Sequence, residues 1–520
     1  MRFFNTEGPI EPDDHYFIAK RLDLSEILEL IERKKYFVLH APRQSGKTSA
    51  IQEIVRKLNL QGKYNAVYLN IESAQPARNK VLEALISIVE SLASAVKEYL
   101  GDEEASLAYF DDIVRQKVPT TYNTLINALS FWAKHSKKPI VLFIDEIDSL
   151  MGDSLLSVLR QLRTGYIGKK APFPQSICLV GLRDVRDYKV WSEESGEYVS
   201  TSSPFNIKAK SLFLKNFSQE EVADLYRQHT NETGQVFEKE AVEYAYELTQ
   251  GQPWLVNALA YAACFEDVKD RLQAITVEVI EKAKNTLIKR RDTHLDSLID
   301  KLREARVRPI IDAIINGETS IVDLDPDSVQ YVRDLGLVKL DRMEIANPIY
   351  QQIIPRELSQ LAADSIGERF VLRPGYVRMD GSLDVVELLL SFSDFYRENA
   401  PIWLEKLDYK ESGPHILLMA FLQRIINGGG TIQREYALGR GRVDLLVTWK
   451  LQRIVIELKV NHHESTLSDG LEQTARYMDT SQVKEGHLMI FNKDLSIPWD
   501  QKFKATQELF QGHLIHVWTL

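Results

Sequence analysis

The chain has 520 residues, of which 44% are hydrophobic and 27% charged, values that exclude a fibrous or disordered class. This length exceeds what one hydrophobic core supports, so we expect several domains. The formal net charge of −10 excludes a polycation, and any contact with nucleic acid must use a local basic surface. The longest apolar run, 416–422, is too short to span a membrane, and the two cysteines are far apart in sequence. We therefore predict a cytoplasmic protein with no membrane contact and no zinc site.

A short amino-terminal segment precedes the first motif. Residues 15–18 have the pattern of a short strand, and residues 24–31 have helical spacing. Tyr16 and Arg21 stand just upstream of the loop described next, where a ring and a cation would cover an adenine ring. Core packing for Tyr16 and a surface charge for Arg21 are the alternative interpretation.

The stretch Tyr36 to Ser49, YFVLHAPRQSGKTS, places a strand, a turn and a helix start in succession. This is the setting of a phosphate-binding P-loop. Backbone N–H groups of the loop would surround the β-phosphate, and we also assign Arg43 and Gly46 to nucleotide binding. Lys47 would reach the β- and γ-phosphate oxygens, and the Thr48 hydroxyl would ligate Mg²⁺.

An acidic motif follows a later strand. Strand and helix patterns alternate through 66–71 and 81–100 to an apolar strand over 139–144, which leads into Asp145 and Glu146. Asp145 would hold Mg²⁺ through water, and Glu146 would orient or deprotonate the water that attacks the γ-phosphate. A strand that ends in Asp-Glu is weak evidence alone, but its order after the P-loop makes chance agreement improbable.

A further strand over 176–182 leads into Arg183, our candidate γ-phosphate sensor, with a surface ion pair as the alternative. Residues 191–203 have the composition of a loop. Ser218 begins a helical region as a cap, and the stretch 251–254 begins another helix with proline at an early position. These features predict a helical lid.

Together these motifs resemble the AAA+ and STAND-like P-loop ATPases over about residues 10–290. The matching stretches are APRQSGKT, FIDEIDSL, the strand that ends in GLR, and GQP at the lid helix. The resemblance implies ATP and Mg²⁺ as ligands, with Gly251 and Pro253 approaching the nucleotide from the lid. No clear arginine finger can be identified.

Residues 291–360 have the pattern of a winged helix. Helices are predicted over 307–315 and 326–335, followed by a hairpin that turns at Asp341-Arg342. DNA binding is one interpretation, but aspartates crowd the second helix, and phosphate contacts need the opposite charge. A spacer or autoinhibitory role is the alternative.

Two apolar strands near the carboxyl end carry a second candidate site. A turn centred on Leu451-Gln452 would place Asp444 opposite Lys459, with Glu457 on the same face. The two carboxylates would ligate Mg²⁺, or Mn²⁺, and the metal would generate hydroxide beside a phosphate, while Lys459 would stabilise negative charge. A solvent-facing ion pair is the alternative, although charges are rare in such apolar strands unless they are paired or metal-bound.

The next helix adds Gln473 and Tyr477, which share one helix face. From 413 to 464, seven Lys or Arg stand against four Asp or Glu, so the acidic chain is locally basic there. G-x-x-D at 441–444, E-x-K at 457–459 and Q-x-x-x-Y at 473–477 resemble the PD-(D/E)XK nuclease superfamily over about residues 410–520. The resemblance implies a metal-dependent nuclease.

One acidic position of that superfamily has no obvious counterpart, because 416–427 contains no Asp or Glu. His415 and Glu435 are the two candidate substitutes. The leading hypothesis is an ATP-regulated, Mg²⁺-dependent DNA nuclease in antiviral or mobile-element defence, acting as a homo-oligomer. The alternative is an ATP-switched DNA-binding scaffold that does not cut, and a DNA motor is weaker because no helicase motif follows.

We thus expect an α/β multidomain fold. Its parts are a P-loop ATPase core at 1–210, a helical lid at 211–290, a winged helix at 291–360, a helical linker at 361–412, and a PD-(D/E)XK nuclease-like α/β domain at 413–520.

Overall fold

The structure is a computed structural model. It describes residues 1–101, 103–168, 172–185, 188–192, 197–200, 206–290, 298, 300–315, 325–354, 357, 376–378, 380–406, 414, 417–419, 421–422, 430–435, 444–460, 466–492 and 497–520. The chain separates into two compact units, the first comprising Met1–Arg290 with Arg333–Gly336 and the second Arg291–Val332 with Leu337–Leu520. The finer domain limits expected from the sequence stay predictions.

The first unit alternates strands and helices before a helical region. Its strands are β1 (Tyr36–His40), β2 (Asn65–Asn70), β3 (Ile140–Asp145), β4 (Ser176–Gly181), β5 (Lys189–Ser192), β6 (Glu197–Ser200) and β7 (Lys208–Phe213). Its helices are α1 (Leu24–Glu32), α2 (Lys47–Gln61), α3 (Val81–Tyr99), α4 (Glu104–Val114), α5 (Thr124–His135), α6 (Gly152–Ile167), α7 (Gln219–Thr233), α8 (Lys239–Thr249), α9 (Pro253–Tyr261) and α10 (Val277–Arg290). Short 3₁₀ segments cover Glu72–Ala77 and Ile147–Ser149, and a π-helical turn covers Ala262–Asp267.

A parallel five-stranded sheet in the order β2-β3-β4-β1-β7 forms the centre of the first unit. Strands β3 and β4 are fully buried and almost wholly apolar, as expected for strands covered on both faces. Phe37 and Leu39 pack on one side with α2, and Tyr36 and Val38 pack on the other. The carboxyl ends of β1, β3 and β4 therefore share one edge, where open α/β sheets bind their ligands.

Two local predictions for the first unit were wrong. Residues 15–18 form no strand, and His15 makes only an isolated bridge with Phe3. The predicted loop over 191–203 instead contains parts of β5 and β6, an antiparallel pair with Val190 opposite Val199. The Ser, Glu and Gly composition suggested a loop, but alternating β-branched and aromatic residues support a hairpin.

The helical region that follows the sheet begins as predicted. Ser218 caps α7 by accepting from the N–H of Glu221, whose side chain accepts in return from the N–H of Ser218, which is a capping box. Pro253 is the first residue of α9, a position that needs no N–H donor.

The second unit contains a six-stranded mixed sheet in the order β12-β13-β11-β10-β9-β8. Its strands are β8 (Gly430–Glu435), β9 (Asp444–Trp449), β10 (Gln452–Val460), β11 (Glu485–Phe491), β12 (Lys504–Phe510) and β13 (His513–Thr519). Beyond residue 290, the helices among the described residues include α11 (Arg308–Ile315), α12 (Pro326–Asp334), α13 (Val385–Lys406), α14 (Thr466–Ser481) and α15 (Trp499–Lys502). A core of ten buried side chains joins α14 to the sheet.

The predicted hairpin at Asp341-Arg342 is reduced to one antiparallel bridge between Val338 and Ile345. The midpoint of this bridge nevertheless lies between Asp341 and Arg342, where the turn was predicted. Part of the predicted helical linker at 361–412 is present as α13, which has 22 residues, whereas residues 361–375, 379 and 407–412 lie outside the described residues. Within the described part of the chain, no helix is both long enough and apolar enough to cross a membrane.

Candidate functional site

The P-loop connects β1 to α2 at the carboxyl edge of the parallel sheet. Gln44 and Gly46 have φ values of 54° and 82°, so the loop uses the left-handed conformation twice. No side chain caps α2, which leaves the N–H groups of its first turn directed at this edge. Lys47 is 9% exposed, and its Nζ donates to the carbonyls of Ala41 at 2.8 Å and Pro42 at 2.9 Å. Burial lowers the pKa of this ammonium, a cost that a bound phosphate would offset.

Thr48 and Asp145 come together across 97 residues of sequence. The Thr48 hydroxyl donates to Asp145 Oδ2 at 2.8 Å, and the carboxylate is 1% exposed at the end of β3. The Tyr68 hydroxyl donates to the same oxygen at 3.0 Å. A hydroxyl and a buried carboxylate in contact are the oxygen ligands expected for Mg²⁺. Sequence reasoning missed Tyr68, because its role depends on β2 lying beside β3.

Glu146 follows Asp145 in a strained conformation. Its φ of 59° is left-handed, which is uncommon for a residue other than glycine and is often found at functional sites. Burial, with the adjacent carboxylates of Asp148 and Asp145, raises the pKa of Glu146 to about 7. Asp148 in turn accepts from the N–H of Leu182 at 3.1 Å, which ties this turn to the end of β4.

The predicted sensor Arg183 is 4% exposed and forms an ion pair, so the alternative is right about the ion pair and wrong about its surface position. Its Nε donates to Asp334 Oδ2 at 2.7 Å, and Asp334 is 3% exposed. Both residues belong to the first unit, which includes the stretch Arg333–Gly336. The γ-phosphate role of Arg183 stays a prediction, and its position immediately after Leu182 is compatible with that role.

Tyr16 and Arg21, the two residues predicted to cover an adenine ring, differ in their burial and in their contacts. Tyr16 is fully buried, with its ring 5.0 Å from that of Phe4 and its hydroxyl 3.3 Å from His229 Nδ1, which favours the core-packing alternative. Arg21 is half-buried rather than fully exposed, and its Nη1 donates to the Ser45 carbonyl of the P-loop at 3.1 Å.

Arg21 also connects the P-loop to the start of the lid. Its Nη2 donates to the Lys215 carbonyl, and its guanidinium lies 4.4 Å from the centre of the Phe217 ring. The N–H of Phe217 donates to the Gly251 carbonyl at 2.8 Å. This cation holds the loop backbone, and its role in covering adenine stays a prediction.

The GQP stretch reaches the P-loop through Gln252, whose Nε2 donates to the Gln44 carbonyl at 3.4 Å. The side-chain oxygen of Gln252 accepts from the N–H of Leu255 and so caps α9. Pro253 is buried as the next residue, and Arg43 is exposed on the loop. The structure therefore brings the lid to the loop, as the resemblance implied, and the nucleotide roles of Pro253 and Arg43 stay predictions.

At the second candidate site, the predicted strand register was wrong by two residues. The turn between β9 and β10 consists of Lys450 and Leu451, and Lys450 has a φ of 53°. Asp444 is therefore opposite Glu457 rather than Lys459. A two-residue shift preserves the face of the sheet, so these positions still share one face.

Glu435, Asp444 and Glu457 occupy directly opposed positions on β8, β9 and β10. The sequence predicted Glu435 as one of two candidates for the acidic position that the superfamily has and that residues 416–427 lack. The other substitute, His415, lies outside the described residues, as does Gly441. Among the described side chains, no group of three or more His, Cys, Asp or Glu is arranged to hold a metal ion.

Glu457 and Lys459 are both fully buried, so the alternative of a solvent-facing pair is wrong. Lys459 Nζ donates to Glu457 Oε1 and to Gln473 Oε1, which brings three of the predicted site residues together. Tyr477 is half-buried on α14 and packs against the core. A buried ion pair of this kind costs desolvation and is weak evidence for stability, and the catalytic roles of these residues stay predictions.

Comparison with known proteins gives two family matches. Residues 5–354 match the family model of an AAA-like domain, and residues 395–494 match a domain of unknown function. Among curated proteins, none matches this chain significantly.

Several solved structures are similar to parts of this chain, all at low identity and with TM-scores below 0.5. A Walker-type ATPase of Pyrococcus abyssi is 13% identical with a TM-score of 0.47, and the match covers 67% of this chain and 98% of that one. The Orc1 protein of Aeropyrum pernix, solved in complex with DNA, is 12% identical with a TM-score of 0.35, covering 70% and 88%. The RuvB Holliday junction branch migration motor of Thermotoga maritima is 15% identical with a TM-score of 0.31, covering 62% and 88%.

Proposed function

This chain belongs to the AAA-like domain family, and from that membership we propose that its first unit binds ATP and hydrolyses it with Mg²⁺. The observation that carries the proposal is the hydrogen bond between Thr48 and Asp145. It joins the P-loop hydroxyl to the buried carboxylate at the end of β3. These oxygen atoms are the ligands that a hard divalent cation such as Mg²⁺ prefers.

Each residue of this edge has a role in the proposal. The N–H groups at the start of α2 receive the phosphates, and Lys47 exchanges the carbonyls of Ala41 and Pro42 for phosphate oxygens. Thr48 and Asp145 hold Mg²⁺, which neutralises charge on the phosphates when it is bound. Glu146, with its raised pKa near 7, orients the attacking water and accepts its proton.

A thermal-shift titration with ATP and Mg²⁺ tests the nucleotide site. At about 100 times its Kd, ATP stabilises a protein by about 2.7 kcal/mol, and Lys47→Ala should remove this effect. Glu146→Gln should keep the thermal shift but hydrolyse ATP at least tenfold more slowly, because only the water-orienting carboxylate is lost. The first unfolding transition is the one to follow. An equal thermal shift in wild type and Lys47→Ala would contradict the assignment.

For the second unit we propose Mg²⁺-dependent cleavage of DNA, regulated by the ATPase and used in antiviral or mobile-element defence. Support comes from the buried contacts of Lys459 with Glu457 and Gln473, and from the opposed positions of Glu435, Asp444 and Glu457. Glu435 would supply the acidic position that 416–427 lacks. The alternative is an ATP-switched scaffold that binds DNA without cutting it, and the missing helix carboxylate favours that alternative.

Incubation of the purified chain with plasmid and linear DNA, with Mg²⁺ or Mn²⁺ and with or without ATP, tests this second function. Asp444→Ala and Glu457→Ala should abolish cutting and leave DNA binding unchanged or stronger, whereas Lys459→Ala should abolish cutting and weaken binding.

Glu472→Ala is a matched control, because it removes an exposed carboxylate from α14 that pairs with Arg476. It should change neither cutting nor binding. Cleavage that survives Asp444→Ala would refute the nuclease, and DNA binding without cleavage under every condition would leave the scaffold in its place.

A further inference from the structure

We propose that the open edge of the second sheet is a dimer interface, at which β12 pairs antiparallel with β12 of a second copy of this chain. Strand β12 is the last strand in its sheet, and every residue from Lys504 to Leu509 is exposed. Leu509 is 78% exposed, and Leu514, opposite it on β13, is 48% exposed. A seven-residue edge with an exposed apolar pair is a template for strand addition unless something covers it.

The hairpin geometry decides which main-chain groups of β12 point outward. Gln511 and Gly512 form a two-residue turn with φ values of 49° and 85°, and Phe510 pairs with His513 beside it. In such a hairpin the pair that flanks the turn exchanges both hydrogen bonds, and bonded pairs then alternate with non-bonded pairs. The residues that direct N–H and C=O groups away from β13 are therefore Ala505, Gln507 and Leu509.

The charges of β12 then select one register. Outward residues must pair with outward residues, and the longest overlaps then place Thr506, Gln507 or Glu508 on the two-fold axis. Glu508 is excluded, because its carboxylate would lie opposite that of the second copy. With Thr506 on the axis, Lys504 lies opposite Glu508 of the second copy, and this happens twice by symmetry. These are non-bonded pairs, whose Cα atoms are about 4.5 Å apart, so the ion pairs form readily.

The alternative register, with Gln507 on the axis, loses those ion pairs. It places Lys504 opposite Phe510 and Thr506 opposite Glu508. With Thr506 on the axis, by contrast, Leu509 meets Phe503 of the second copy, which covers the exposed leucine. The edge is thus complementary to itself in charge and in apolar surface, which argues for a second copy as its occupant. This inference is independent of the proposed ATPase and nuclease functions.

Disulfide trapping of the full-length chain tests the register. Thr506→Cys places two thiols across the axis, within the Cα separation of about 4.4 to 6.8 Å that a disulfide needs. Gln507→Cys is the matched control, since residue 507 then faces residue 505 rather than itself. The native thiols, Cys178 and Cys264, are both buried. We expect a covalent dimer from Thr506→Cys under mild oxidation and a monomer from Gln507→Cys. The reverse result, or no dimer from either variant, would overturn the proposal.

Sedimentation equilibrium tests the charges independently. Lys504→Glu and Glu508→Lys should each weaken dimerisation by about tenfold or more, because each places like charges opposite each other twice. The double variant should recover the wild-type affinity, since it exchanges the charges within each pair. Failure of the double variant to recover dimerisation would refute the ion pairs.

Ala505→Pro removes one outward N–H and should abolish the dimer while leaving the hairpin intact. An unchanged melting profile of the second unit would show that the hairpin survives. A wild-type chain that stays monomeric at its highest soluble concentration, or an Ala505→Pro variant that still dimerises, would overturn the interface.

Discussion

Replacing Gly251 by alanine should displace the start of the lid. Gly251 has a φ of 70°, and a Cβ built on it would lie 1.9 Å from the carbonyl oxygen of Phe217. The left-handed conformation costs an alanine about 1 kcal/mol. Overpacking costs typically about 1–3 kcal/mol, and loss of the bond from the Phe217 N–H to the Gly251 carbonyl would add about 1 kcal/mol. We therefore expect the free energy of unfolding to fall by about 3–5 kcal/mol.

Gly234→Ala is the matched control for this prediction. Gly234 also lies in the lid with a φ of 79°, but its Cβ would meet no atom within 4 Å. Both variants change the unfolded chain equally, so this variant isolates the conformational cost of about 1 kcal/mol. Denaturant unfolding of the first transition measures the difference.

Titration with a fluorescent ATP analogue should also show weaker binding only for Gly251→Ala, because Gln252 would leave Gln44. If Gly251→Ala is no less stable than Gly234→Ala, the close contact of Gly251 with Phe217 does not hold the start of α9 in place.

Two further predictions concern the carboxylates after β3. Tyr68→Phe should raise the Mg²⁺ concentration for half-maximal ATP hydrolysis about fivefold, since Asp145 loses one of its two hydroxyl donors, worth about 1 kcal/mol. Tyr36→Phe, which removes a buried hydroxyl at the other end of the sheet, should leave this Mg²⁺ dependence unchanged. The pKa of Glu146 is raised from 4.5 to about 7, so its contribution to stability is complete below pH 4.5 and is lost as the pH rises through 7. Without nucleotide, the wild type should thus lose stability relative to Glu146→Gln over that interval, and parallel pH profiles in chemical denaturation would disprove this.

The local motifs of the first unit could be predicted from the sequence, because each depends on a few neighbouring residues. The P-loop lies between a strand and a helix start, Ser218 caps its helix, and Pro253 opens α9, all as predicted. The contact between Thr48 and Asp145 agrees with the sequence, which predicts both residues as ligands of one Mg²⁺ ion.

Only the tertiary structure decided which distant residues complete these motifs. Tyr68 reaches Asp145 because β2 lies beside β3, and Asp334 reaches Arg183 across 151 residues of sequence. No local pattern encodes either contact, since strand order depends on how the whole sheet is packed.

The pairing of β9 with β10 at the second site also depended on the backbone conformation of the turn between them, which the residue types do not specify uniquely. Lys450 takes a left-handed φ, which allows a turn of two residues and places Asp444 opposite Glu457. The sequence by itself determined that Glu457 and Lys459 lie on one face, because a strand alternates its faces with a fixed period of two residues. The turn decided that Asp444 shares this face and lies opposite Glu457, because the register is a balance between the cost of a left-handed lysine and the pairing of two whole strands.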